Sequence, residues 1–246
     1  MNEFDSNQRN RFESRAWSDD RGLGAYRVPT AAQASVGERV EFIRKVYGLF
    51  FAATLFGVGG VMLGFLFPPA MVAVAQHPWI AFFMMIGGVI AAQAVRHRPG
   101  VNLVALFGFT TFTGLVISPL LYVISRQNPA SIYQAGGLTV GIFGGLTAYV
   151  FVSNKDFSFM RGLLVVGLIV VILGGLLNVV MVESSGLGFA LAAGAVVLFS
   201  GFVLYDTSNI IRRYPTNEYI AGALDLYLDA FNIFLALLRI LNAGRR

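Results

Sequence analysis

Cysteine is absent from the 246 residues, so disulfides, thiolate metal sites and thiol chemistry are excluded. Histidine is nearly absent too: His77 and His97 are the only two, too few for an all-histidine metal site. Charge is scarce. Charged residues make up 13% of the chain, where a soluble domain ordinarily carries about a quarter. Between Val46 and Leu204 the acids are only Asp156 and Glu183. No phosphate-binding loop, metalloprotease helix or Ser-His-Asp arrangement is present, and no cofactor and no enzyme activity are expected.

What the chain has instead is apolar length. Hydrophobic residues are 56% of the total, and they fall in long runs. Crossing the hydrocarbon core takes about 20 mostly apolar residues, and such stretches lie at 46–67, 79–95, 101–124, 132–152, 159–182 and 187–206. A seventh, 219–241, is apolar and helical in pattern but carries Asp225, Asp229 and Asn232. The expected fold is therefore all-α and integral to the membrane, with seven transmembrane helices. The polar face of the seventh must turn from lipid, which puts that helix in the centre with the other six wrapped around it. Residues 1–39 read as a flexible, polar amino-terminal tail with no cleaved leader, and 40–246 as the transmembrane domain.

The net charge of +5 does not signal nucleic acid, because the cations sit between apolar runs. Arg39, Arg44 and Lys45 precede the first run; Arg96 and Arg98, Lys155 and Arg161, and Arg212 and Arg213 mark alternate junctions after it. The other junctions hold only Arg126. By the positive-inside rule the amino terminus is cytoplasmic. A compact chain without an organelle-sorting signal points to a bacterial inner membrane. The seventh segment either crosses, leaving Arg245 and Arg246 outside, or is re-entrant; the rule does not choose. Glycines at four-residue spacing, Gly60 and Gly64, then Gly137, Gly141 and Gly145, predict close helix packing.

Ionisable groups at membrane depth cost about 2.5–3.5 kcal/mol each on insertion scales, and this chain concentrates them. Asp206 ends the sixth run; Asp225 and Asp229 lie one helical turn apart in the seventh, about 6 Å along the axis. Asn209 and Asn232 each follow an aspartate by three residues, which places an amide on the carboxylate's side. Asp225, closest to the loop, can equally be a hydrated interfacial group. Two acids in one enclosed region repel each other when both are ionised, so Asp206 and Asp229 should bind protons as a coupled unit. Such a pair is a proton sensor, a cation ligand or an acid–base dyad.

Two stretches, Leu204-Tyr205-Asp206-Thr207 and 226–241 (LYLDAFNIFLALLRIL), resemble the closing signature of the Bax inhibitor family. Phe112-Thr113-Gly114-Leu115-Val116-Ile117-Ser118-Pro119 and Lys155-Asp156-Phe157-Ser158-Phe159 fit in the same order, so the resemblance covers about the last two hundred residues. It implies seven helices with the last in the centre. It also implies a pH-dependent calcium leak governed by two aspartates, which fall here on Asp206 and Asp229. Arg96 matches a bacterial arginine that pairs with the first of them. The chain has no acid in its second run, unlike some relatives. Other members suppress cell death or act on a membrane-bound protease.

The leading expectation is a pH-sensitive calcium-leak channel. Calcium takes six to eight oxygens. Asp206, Asp229, Asn209, Asn232 and freed carbonyls would supply several, which suits transient passage. The expected partners are the lipid bilayer, calcium ions and another membrane protein such as a protease. A second reading is a non-transporting regulator of such a protein, for which neutralising the aspartates would leave the phenotype intact. A third is an intramembrane aspartyl protease. Tyr205-Asp206 fits its first motif, but Gly222-Ala223-Leu224-Asp225 has leucine where the second glycine belongs.

Overall fold

The computed structural model describes residues 28–153 and 155–243. It is built from helices: α1 (Val36–Leu66), α2 (Pro68–Gln76), α3 (Pro78–Ala94), α4 (Val101–Gln127), α5 (Pro129–Ser153), α6 (Arg161–Leu177), α7 (Ser185–Arg212) and α8 (Tyr219–Ala243). A 3₁₀ turn, Ser158–Met160, leads into α6, and a π-helical turn, Asn178–Val182, follows it. Local chemistry sets the boundaries. Ser35 and Glu38 form a reciprocal capping box at the start of α1, and Ser184 accepts from the Leu187 amide to start α7. Gly100 adopts φ 79° in the turn before α4, a conformation that glycine reaches without a Cβ penalty.

Six helices, counting α6 with its flanking turns as Ser158–Met181, are long and apolar enough to cross a membrane: α1, α4, α5, Ser158–Met181, α7 and α8. The expected second span is the exception. It forms α3, whose 17 residues fall short of a full crossing, and α3 meets α2 at 97°. The break has a local cause. Pro78 disfavours the helical conformation at His77, which takes ψ 58° and ends α2. The seventh segment, by contrast, is one unbroken 25-residue helix, long enough to span.

Large apolar side chains, such as Phe51, Phe83 and Val197, point outward from the bundle, an arrangement suited to lipid and not to water. α1 packs along α4 and α7 along α8, while α8 also meets α1, α4 and α5. The α1–α4 contact is close because glycine faces backbone from both sides. A Cβ at Gly60 would strike the Thr111 carbonyl, and one at Gly114 the Gly57 carbonyl. Gly64 likewise seats against the Ser118 side chain. Gly137, Gly141 and Gly145 do not behave as their spacing suggests. A Cβ at any of them would meet nothing within 4 Å, because that face of α5 has no helix against it.

α8 is the most enclosed of the long helices. Of its most apolar stretch 67% is buried, against 11–33% for the other five. Leu224, Leu226, Ile233 and Leu238 are fully buried on it, and Asp229 is buried beside them.

Of the expected tail, residues 1–27 lie outside the described residues. The segment that follows is built into the fold, ahead of the boundary expected at 39. Thr30 forms an antiparallel bridge with Pro215, the Ala31 amide donates to the Tyr214 carbonyl at 2.9 Å, and the Thr216 amide donates to the Pro29 carbonyl at 3.1 Å. Ala31 is wholly buried there. This strap lies across the loop between α7 and α8.

Candidate functional site

The polar residues converge where α7 ends and α8 begins. Asp206, one and a half turns from the end of α7, faces Asp229 on α8, and the two carboxyls lie within interaction range of each other. A hydrogen bond can form between them only when one carries a proton, since ionised oxygens only accept. Asp229 is 3% exposed, and its Oδ2 has no hydrogen-bond partner among the described residues. Leaving a carboxylate oxygen so placed is costly unless the group is neutral or something polar can reach it.

One turn earlier on α8, Asp225 has its own partners. The Tyr214 hydroxyl donates to its Oδ2, and the Gln93 amide of α3 donates to Oδ1 at 3.3 Å. Burial and the adjacent Asp225 carboxyl hold the Tyr214 phenol above its ordinary range, so it remains a neutral donor. Asp225 is thus a bonded, half-buried group and not a loose interfacial one.

A cavity of about 430 Å³ opens onto Asp206. Tyr205, Asp206 and Asn209 of α7 form one wall and Tyr214, Pro215 and Glu218 of the following loop another. Arg96, Arg161, Arg213 and Ser158 complete it. Arg96 shares this cavity with Asp206, but its ion pair is with Glu218, 3.8 Å away. Its field acts on Asp225. The loop that carries Arg96 is tied down by the Asn102 amide, which donates to the Arg96 carbonyl at 3.0 Å. Asn232 is turned to its own helix, donating to the Leu228 carbonyl at 2.7 Å. The structure therefore brings Asp206 together with Asp229, places Asn209 and Arg96 with Asp206 on the cavity wall, sets Asp225 one turn from Asp229, and engages the Asn232 amide with its own helix.

Several contributors carry no signal in the sequence that singles them out. Tyr214, Gln93 and Glu218 lie in or beside loops, and only the fold aims them at the aspartates. The Lys155-Asp156-Phe157 stretch turns out to brace the same end. Phe157 is buried against Val150 and Ile211, and its amide donates to Ser208 of α7 at 3.1 Å. Asp156 accepts from the Ser158 amide at 2.9 Å and from Arg213 at 2.7 Å. Those two bonds, the amide first, hold its carboxyl down at about 2. Among the described residues no three His, Cys, Asp or Glu are grouped so as to hold a metal ion.

These features define a multi-pass helical membrane protein with an enclosed cluster of carboxyls at one end of the bundle. Comparison with known proteins agrees. The model of the family described as "Inhibitor of apoptosis-promoting Bax1" matches residues 39–246. An uncharacterized protein of Campylobacter jejuni is 39% identical over 206 residues, covering 82% of this chain and 88% of that one. An uncharacterized membrane protein of Vibrio cholerae is 38% identical, covering 70% and 79%. Bax inhibitor 1 of Schizosaccharomyces pombe is 32% identical, covering 86% and 79%. The chain belongs to the Bax inhibitor family.

Proposed function

We propose that this protein is a pH-sensitive calcium-leak channel gated by Asp206 and Asp229. The observation that carries the reading is the closeness of these two enclosed carboxyls on adjacent helices, with Asp206 lining a polar cavity. A bond from a carboxylic acid to a carboxylate is charge-assisted and about twice as strong as a neutral one. It is therefore strongest with one shared proton. Loss of that proton sets two like charges against each other, and gain of a second removes the charge assistance. Either change weakens the α7–α8 contact, and a few kcal/mol suffices to move a two-state gate.

When the gate is open, Asp206, Asp229 and Asn209 present oxygens along the path, and water completes the shell of a passing calcium ion. Arg96 and Glu218 set the field at the cavity mouth. In this reading α8 is the central helix, since it is the most enclosed, and α2 with α3 makes up a broken seventh crossing. The cation-rich junctions then face the cytoplasm, with the amino terminus on that side of a bacterial inner membrane.

Calcium flux into liposomes carrying the purified protein, measured across pH, tests the proposal. A flux that varies with pH supports it; no flux above protein-free liposomes at any pH overturns it. A regulator of another membrane protein is the second reading, favoured by the anti-apoptotic description of the family. It would act without transport, so an absence of flux together with a phenotype that survives neutral aspartates supports it instead.

A further inference from the structure

We infer that His97, Arg96 and Glu218 form a proton-operated switch at the mouth of the cavity, in which His97 and Arg96 exchange places on one carboxylate. Three contacts make the triangle. The Arg96 Nε–H donates to His97 Nε2 at 3.0 Å. Arg96 Nε lies 3.8 Å from Glu218 Oε2, and the same His97 Nε2 lies 3.8 Å from Glu218 Oε1. One carboxylate therefore faces both bases, an oxygen to each.

An imidazole nitrogen that accepts a hydrogen bond carries no proton, so this arrangement is that of neutral His97. Arg96 is then the only cation of the triangle. A proton added to Nε2 turns that nitrogen into a donor, set against the guanidinium donor 3.0 Å away. The bond between them is lost, and two cations repel at close range. The acceptor within reach of the new N–H is Glu218, whose side chain is only 16% exposed. The imidazolium takes it, and Arg96 is released into the cavity. Histidine is the side chain suited to this change between about pH 5 and 8.

The surroundings fix which part moves. The Arg96 carbonyl is held by Asn102, and the Glu218 carbonyl accepts the Gly222 amide at 3.2 Å at the start of α8. The backbone on both sides is anchored, so the Arg96 side chain swings while the helices stay. Other charged groups stand nearby: Arg98 on the same loop, Arg161 of α6, Asp206 of α7 and Arg213 at its end, and Asp225 of α8. Arg213 is paired with Asp156, Asp225 is bonded by Tyr214 and Gln93, and Lys45 of α1 is paired with Glu41. Among the described residues the ion pairs of Glu218 are those with Arg96 and His97. The switch is separate from the aspartate pair, and its test needs no ion flux.

The chain has only two histidines, so His77→Gln leaves a single imidazole to follow by NMR of the full chain in detergent micelles. In that background the Arg96 Nε–H resonance, assigned with Arg96→Lys, should move between about pH 8 and 5 in step with the His97 ring. His97→Gln keeps an acceptor for Arg96 but takes no proton, and should hold the resonance at its high-pH position throughout. His97 is 56% exposed, so this substitution leaves the packing intact. Nuclear Overhauser contacts of the His97 ring should pass from Arg96 at about pH 8 to Glu218 at about pH 5. An Arg96 resonance that does not move, or that moves equally in His97→Gln, overturns the switch, as do ring contacts that are the same at both ends of the range.

Discussion

The Tyr214 hydroxyl donates to the Asp225 carboxylate across the turn between α7 and α8. The loop between these helices is thereby fixed to α8 by a side chain as well as by the backbone. The same tyrosine's carbonyl receives the Ala31 amide, so one residue joins the strap, the loop and the aspartate cluster. Tyr214→Phe keeps the ring and removes the donor. A hydrogen bond to a charged group contributes about 1.5–3 kcal/mol, and Gln93 remains to Asp225. The variant should unfold more easily by about that amount in thermal or denaturant melts. An unchanged melt would show that water replaces the phenol at no cost.

Glycine at the α1–α4 contact gives a paired test. Gly60→Ala drives a methyl group into the Thr111 backbone, which no side-chain rotation relieves. Overpacking of this kind costs about 1–3 kcal/mol. Gly141→Ala adds the same methyl where nothing lies within 4 Å, and replaces a poor helix former by a good one. It should be neutral or stabilising by about 0.5–1 kcal/mol. Unfolding curves for the two variants should move in opposite directions.

The contrast between those glycines shows what a sequence carries and what it does not. Gly60 and Gly141 sit in the same four-residue pattern, and periodicity alone assigns both to packing. Only the arrangement of neighbouring helices tells which face is covered. The polar helix was legible for a firmer reason. Asp225 and Asp229 sit one turn apart in an apolar run, and lipid forbids that face, so α8 had to be enclosed. Asp206 joining Asp229 was likewise readable, because few other acids were at hand. Arg96 was harder. Its charge predicts an acidic partner, but Glu218 lies in a loop whose path no periodicity describes. The separate runs at 46–67 and 79–95 were visible, but the helix between them and its 97° bend at Pro78 were not.

Asp156 supplies a test of the bracing contact under acid. Its folded value is about 2, against about 3.9 for an unfolded aspartate. A depressed carboxyl stabilises the fold above the unfolded value, and that contribution is lost as pH falls toward 2. Comparing wild type with Asp156→Asn, the wild type should melt higher at pH 6, with the difference shrinking below pH about 4 and gone near 2. The gap should be small, because the pair with Arg213 is half exposed and screened by solvent. A gap independent of pH would mean that the amide substitution acts through shape and not charge.

The strap makes a prediction about exchange. The Thr216 amide is held by the Pro29 carbonyl, and the Ala31 amide by Tyr214. Removing residues 1–34 leaves the Ser35 cap of α1 in place but takes away these partners. Amide hydrogen exchange at Thr216 should then speed up markedly, while exchange in the middle of α8 stays slow. Equal protection of Thr216 in both forms would show that the loop is fixed without the strap.

The aspartate pair gives the most demanding test. Asp206→Asn and Asp229→Asn each preserve size and can still hydrogen bond, but neither can pass a proton between the two groups. If the shared proton sets the gate, each substitution should flatten the pH dependence of calcium flux in liposomes. The double variant should resemble either single, because the two residues act as one unit and their effects do not add. Asp225→Asn should differ in kind. Its carboxylate is satisfied by Tyr214 and Gln93, so the substitution should weaken the loop anchor and shift stability more than the pH profile. Arg96→Gln should likewise act through Glu218 and the cavity mouth, moving the midpoint without abolishing the response. Retention of the wild-type pH profile in both Asp206→Asn and Asp229→Asn would remove the aspartate gate and leave the regulator reading in its place.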